Sequence, residues 1–129
     1  MRRVFTTLLC LSGSAHAAET QMTATAFEAW STGKTLVYSR DGNLWGSETH
    51  LAGRGTVDDD EGGICRSGQW YPRGDDICFT YENSPGPFCW RFLRDGDQVF
   101  AQYSDDAFAP RFAVTLGDAP VACTPGVGV

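Results

Sequence analysis

From Thr35 onward, apolar and polar residues alternate in short runs separated by turn residues. "TLVYS", "LWGSE", "SGQWY", "ICFTYE", "FCWRFL", "QVFAQY" and "RFAVTL" each carry the two-residue period of a strand with one buried face. "RDGN", "PRGD", "NSPGP" and "RDGD" punctuate them, and Asp-Gly between strands is a strong hairpin signal at Asp41-Gly42 and Asp95-Gly96. Before this region "TAFEAWSTG" reads as a short helix near 25–32. Thr25 and Glu28 form a capping-box pattern, Gly33 stops the helix, and Phe27 and Trp30 form its apolar side. The fold predicted is mainly β: an antiparallel meander of about seven or eight strands between about 35 and 116, forming a small barrel or half-barrel.

Strand parity gives the meander two faces. A turn centred on Asp95-Gly96 places Phe92 opposite Val99, Trp90 opposite Ala101 and Phe88 opposite Tyr103. A turn centred on Arg73-Gly74 places Trp70 opposite Ile77. With Ile77 facing Trp90 and Phe79 facing Phe88, one surface carries Trp70, Ile77, Phe79, Phe88, Trp90, Phe92 and Val99, continued by Tyr81. Cys78 then lies opposite Cys89 on the other face, which predicts a cross-strand disulfide. Cys65–Cys123 follows by elimination, tying the tail to the sheet.

The cysteine pattern depends on where the chain goes. "MRRVFTTLLCLSGSAHAAE" has the basic start, short apolar run and small-residue cleavage site of a secretory signal, so residues 1–17 are expected to be a leader and 18–129 one β-rich domain. Lipoprotein processing at Cys10 is the rival; it is disfavoured because Cys10 sits inside the apolar run. Removal of Cys10 leaves four cysteines in an exported chain, a number suited to two disulfides. No C-x-x-C occurs, which argues against a zinc knuckle or a thioredoxin-like redox site. The expected location is the periplasm or outside the cell. After Cys123, "TPGVGV" has no periodicity and is expected to fray.

Charge narrows the partners. The chain carries a formal charge of −6, and loss of Arg2 and Arg3 with the leader takes it to about −8. Such a field repels phosphate backbones, so nucleic acid is not an expected partner, nor is a stable membrane insertion.

Candidate chemistry is thin. His50 is the one histidine beyond the leader, without a recognisable catalytic partner in sequence, and no nucleophile elbow, zinc-binding His pair or phosphate loop is present. No catalytic residue, metal ligand or cofactor is assigned. "DDDEGG" gathers Asp58, Asp59, Asp60 and Glu61; it reads as a solvated turn, with calcium as the alternative, but lacks the ligand alternation of an EF-hand loop. Asp75 and Asp76 are the other acids a two-carboxylate hydrolase would need. The aromatic face of Trp70, Phe79, Tyr81, Phe88, Trp90 and Phe92 is the best candidate site. It is either a filled core beneath the helix or the lining of a calyx for a small apolar ligand. "ENSPGP", with Pro85 and Pro87 around Gly86, reads as a stiff loop above the Cys78–Cys89 staple, the kind of loop a secreted inhibitor presents.

"FEAWSTGKTLVY", "SGQWYPRGDDICFTYE" and "FCWRFLRDG" together resemble a family of small exported proteobacterial proteins, rhizobial in type, whose function is unassigned. The resemblance spans roughly Phe27 to Tyr103 and departs at "GTVDDDEGGIC", where the family pattern leads one to expect a longer apolar strand with a tryptophan. It implies a periplasmic β-rich domain and supplies no catalytic residues. The function expected is non-enzymatic binding of a small apolar ligand or a protein partner. A periplasmic inhibitor of lysozyme or protease type and a carboxylate-dependent hydrolase are the alternatives.

Overall fold

A computed structural model describes residues 13, 18–59 and 62–125. The expected leader (Gly13 apart), Asp60, Glu61 and the last four residues of the tail lie outside the described residues. In chain order the elements are β1 (Thr20–Gln21), α1 (Ala24–Ser31), β2 (Thr35–Arg40), β3 (Asn43–His50), β4 (Gly55–Asp59), β5 (Cys65–Arg73), β6 (Asp76–Tyr81), β7 (Ser84–Asp95), β8 (Gln98–Tyr103) and β9 (Phe112–Gly117). Strands β2 to β9 each pair antiparallel with the next, and β9 returns onto β2, so the sheet closes into an eight-stranded up-and-down barrel. Closure decides between barrel and half-barrel. The short β1 adds to the outside of β7, with Thr20 opposite Arg94.

The seven strands expected from alternation all form, and β4 is the eighth. It escapes a hydrophobic-periodicity reading because its pattern is inverted. Thr56 and Asp58 point into the barrel, opposite His50 and Glu48 on one side and Gly68 and Arg66 on the other, while apolar Val57 faces out. A strand whose inner face is polar looks like a loop in sequence.

Two hairpin registers differ from the expected ones, for one reason. At Asp41-Gly42 both residues take positive φ between paired Arg40 and Asn43, a type I′ turn where Asp-Gly was expected. At the β7–β8 turn the paired residues are Asp95 and Gln98, so the two central residues are Gly96-Asp97. Gly96 at φ 59° takes the first place, as type II′ geometry requires. The turn centre moves by one residue and the partners by two: Phe92 faces Ala101 and Trp90 faces Tyr103. The β5–β6 turn does the same at Gly74-Asp75, pairing Trp70 with Phe79 instead of Ile77. A two-residue shift preserves the face, so the aromatic set still points inward. Between β6 and β7 the partners are as expected, with Ile77 opposite Trp90, Cys78 opposite Cys89 and Phe79 opposite Phe88.

The helix closes one end. Its N-cap is Thr23, whose side-chain oxygen accepts from the Ala26 amide at 3.1 Å, and not Thr25. The chain enters the helix straight from β1, where the Met22 amide donates to the Phe92 carbonyl, which sets its first turn earlier than the capping-box reading did. Glu28 is thereby freed to accept two hydrogen bonds from Arg54, at 3.1 and 3.2 Å. Phe27 is fully buried, its ring centre 4.4 Å from Phe92, 5.2 Å from Trp70 and 5.6 Å from His50. Trp70 and Phe92 are therefore core, under the helix.

Both disulfides join the expected partners, Cys78 to Cys89 and Cys65 to Cys123, across sequence separations of 11 and 58. In the chain-entropy account loops of these lengths are worth about 3 and about 4 kcal/mol. The second disulfide is reinforced by backbone bonds from Cys65 to Thr124 and from Thr124 to Gly63. The "ENSPGP" segment is not a free-standing loop. Tyr81 pairs with Ser84, the turn is only Glu82-Asn83, and Pro85 to Pro87 are exposed but held within β7 as a bulge opposite β6.

Candidate functional site: the open end of the barrel

The interior has two halves. At the helix end Phe27, Leu36, Trp70, Ile77, Phe92 and Ala101 fill it. At the other end, where β3 begins and β4 and β6 finish, the side chains leave a pocket of about 300 Å³. Its walls are Tyr38, Trp45, Phe79, Phe88, Trp90 and Tyr103, and its polar side is Glu48, Asp58, Asp59, Arg66 and Tyr81. The aromatic face is thus filled core at the helix end and lines a cavity at the other.

Three of the polar side chains arrive through strand parity, while Asp59, next to Asp58 at the end of β4, is exposed at the rim. Glu48, Asp58 and Arg66 sit on one row across β3, β4 and β5, and all three face in. Arg66 donates from Nε and Nη2 to the two carboxylate oxygens of Asp58, at 2.9 and 2.6 Å. Its guanidinium lies 4.1 Å over the Tyr81 ring. The Tyr81 hydroxyl donates to Glu48 Oε2 at 2.8 Å. The other carboxylate oxygen, Oε1, lies 2.9 Å from His50 Nε2, an ion-pair separation without the alignment of a hydrogen bond. His50 itself makes T-shaped contacts with Phe27 and Phe79. Tyr81 reaches Glu48 because Gly68 faces it across the β5–β6 pair: a Cβ on Gly68 would stand 2.6 Å from the Tyr81 ring.

The aromatic wall depends on an irregularity in β3. Tyr38 pairs with Gly46 and Ser39 with Leu44, so Trp45 is bulged out of the ladder. It leans over the mouth, 4.5 Å from Phe112 and 6.0 Å from both Tyr38 and Trp90, while 57% of its surface stays exposed. Trp90 in turn stacks on Tyr103 at 3.8 Å.

Burial first, then the Glu48 charge, raises the Tyr81 phenol far above its ordinary value, and the same causes raise Tyr38. Both remain hydroxyls in the folded barrel and ionise once it unfolds. The folded state then holds more protons than the unfolded one above the ordinary phenol value of 10.0, so stability is intact below that pH and falls as pH rises past it. The expected slope is about 1.4 kcal/mol per pH unit for each of the two tyrosines. Urea melts from neutral pH into the alkaline range should show the slope, and Tyr81→Phe should reduce it. An unchanged slope in that variant would mean that Tyr81 titrates freely.

Of the residues singled out from sequence, Phe79, Tyr81, Phe88 and Trp90 line the pocket, and Trp70 and Phe92 do not. Sequence reasoning missed Tyr38, Trp45, Glu48, Arg66 and Tyr103. The usable signal was a polar residue at inward parity: Arg66 is four residues from Trp70 on β5, and Glu48 is two from His50 on β3. Asp58 was read as a solvated turn residue and is an interior ion-pair partner instead, because β4 is a strand. Asp75 and Asp76 stand at the helix end. Asp75 accepts from the Ala24 amide and Asp76 from the Gln21 side chain, so neither enters the pocket. Among the described residues no group of three His, Cys, Asp or Glu side chains is placed to hold a metal ion, and Asp60 and Glu61 fall outside them. Nor, among the described residues, is any helix long and apolar enough to cross a membrane.

Comparison with family models, with curated proteins and with solved structures finds no match for this chain.

Proposed function

We propose that this is an exported, non-enzymatic binding protein that takes a small ligand with an apolar body into the open end of the barrel. The observation that carries the reading is the pocket itself: about 300 Å³, walled by six aromatic rings, in a barrel whose other end is packed solid. That volume is at the lower end of the range for small-molecule sites, so it suits a ligand about the size of one or two rings. Ligand sites in small β-barrels lie in such mouths. The secretory pattern at the start of the chain and the two disulfides support export to the periplasm or beyond.

Gly46 offers a clean test. It lines the pocket opposite Tyr38, and a Cβ built on it meets nothing within 4 Å. Gly46→Phe should fill the cavity and leave the fold intact. Calorimetric titration with 4-cresol, indole and 2-naphthol should show binding to the native protein. Gly46→Phe should weaken it by about tenfold or more, with an unchanged melting temperature. No binding of any of the three to the native protein would contradict the proposal, as would equal binding to the filled variant.

A further inference from the structure

We infer that the pocket selects a small organic cation, an ammonium group carried on an apolar body. The inference rests on the pocket being a ligand site and names the class of ligand. Its basis is the charge inventory of the lining. Three carboxylates, Glu48, Asp58 and Asp59, border the cavity against one guanidinium, Arg66. Arg66 is already paired: it donates twice to Asp58, which offsets its charge, and its face lies on the Tyr81 ring. The Arg66–Asp58 pair is thus neutral as a unit and leaves Glu48 and Asp59 as the charges a ligand meets.

Neither of these is balanced from within the pocket. Glu48 accepts from Tyr81, a neutral phenol, and His50 approaches it from the packed side without lining the cavity. Asp59 is exposed and, among the described residues, forms no ion pair. The walls carry the same preference. Trp45, Trp90 and Tyr103 are among the lining rings, and an ammonium group gains from the negative quadrupole of an aromatic face within reach. The chain's net charge of −6 adds a field of the same sign at the mouth. An anion would face that field and a lining with three carboxylates against one guanidinium. A neutral ligand would fill the volume and leave the carboxylates to partial desolvation, a cost an ammonium group offsets.

Three probes of one shape and different charge separate the outcomes: benzyltrimethylammonium, the uncharged neopentylbenzene, and phenylmethanesulfonate. Calorimetry at neutral pH and low salt should show the cation bound about tenfold more tightly than the neutral isostere, and the sulfonate not bound. The ratio should fall as salt is added. Glu48→Gln should remove most of the preference. Asp59→Asn, a surface change with no expected effect on the melt, should lower the ratio of cation to neutral affinity about two- to threefold. Equal or tighter binding of neopentylbenzene would overturn the inference while leaving a ligand pocket in place. Tighter binding of the sulfonate would overturn it and show Arg66 free to receive an anion. Failure of all three probes would overturn the inference, and would remove the binding reading too only if 4-cresol, indole and 2-naphthol also fail to bind.

Discussion

Phe27→Ala is expected to lower the free energy of unfolding by about 3–5 kcal/mol, the range for deleting a fully buried phenylalanine. The helix has only eight residues, too few to persist on its own propensity. What holds it is burial of one side chain into the barrel end, where Phe27 meets Phe92, Trp70 and His50. Alanine leaves those rings facing a cavity that the short helix cannot collapse to fill, because β1 on one side and the Glu28–Arg54 pair on the other hold its position. A fall of roughly 10–20 °C in melting temperature corresponds to this loss. Urea unfolding of the oxidised protein checks it directly, and a change below about 1 kcal/mol would show that the helix is an appendage and not the closure of the barrel. The pocket at the other end should keep its ligand affinity wherever the variant is folded.

Gly68→Ala should act on both stability and site. A methyl group there would stand 2.6 Å from the Tyr81 ring, 2.7 Å from Thr56 Oγ1 and 2.8 Å from the Thr80 carbonyl oxygen. The first two neighbours are side chains that could turn away, but the third is backbone of the paired strand β6. Making room for the methyl group means parting β5 from β6, and about 3 kcal/mol is the scale of such overpacking. Displacing Tyr81 also breaks its bond to Glu48 and its contact with Arg66, so ligand binding should weaken further than stability alone predicts. Stability within about 0.5 kcal/mol of the native protein would mean that the close approach at Gly68 is not required.

Much of the barrel was legible because its dominant signal is period two. The aromatic face and the Cys78–Cys89 pairing follow from parity, which survives the two-residue register shifts at Gly74-Asp75 and Gly96-Asp97. Those shifts were not legible. Asp95-Gly96-Asp97 supports either a type I′ turn on its first pair or a type II′ turn on its second, and Arg73-Gly74-Asp75 leaves the same choice of centre around its glycine. The candidate site was half legible. Phe79, Tyr81, Phe88 and Trp90 were found as apolar residues on the buried face. Glu48, Asp58 and Arg66 were hidden because a polar residue at an inward position breaks the very pattern used to find strands. Trp45 is a different case: it reaches the mouth through a bulge, and a bulge changes parity without leaving a mark in composition. That the same interior is full at one end and hollow at the other depends on β9 closing onto β2, a contact between residues far apart in the chain.

The central claim is that the open end, and not the helix end, receives the ligand, and the four tryptophans report on it separately. Trp45 and Trp90 line the pocket, whereas Trp30 and Trp70 pack at the helix end. Titrating the ¹⁵N-labelled protein with benzyltrimethylammonium and with 4-cresol, while following the four indole N–H resonances, locates the site directly. Saturable shifts at Trp45 and Trp90, with Trp30 and Trp70 unmoved, are the predicted result. Shifts confined to Trp30 and Trp70, or none at any of the four, would contradict it.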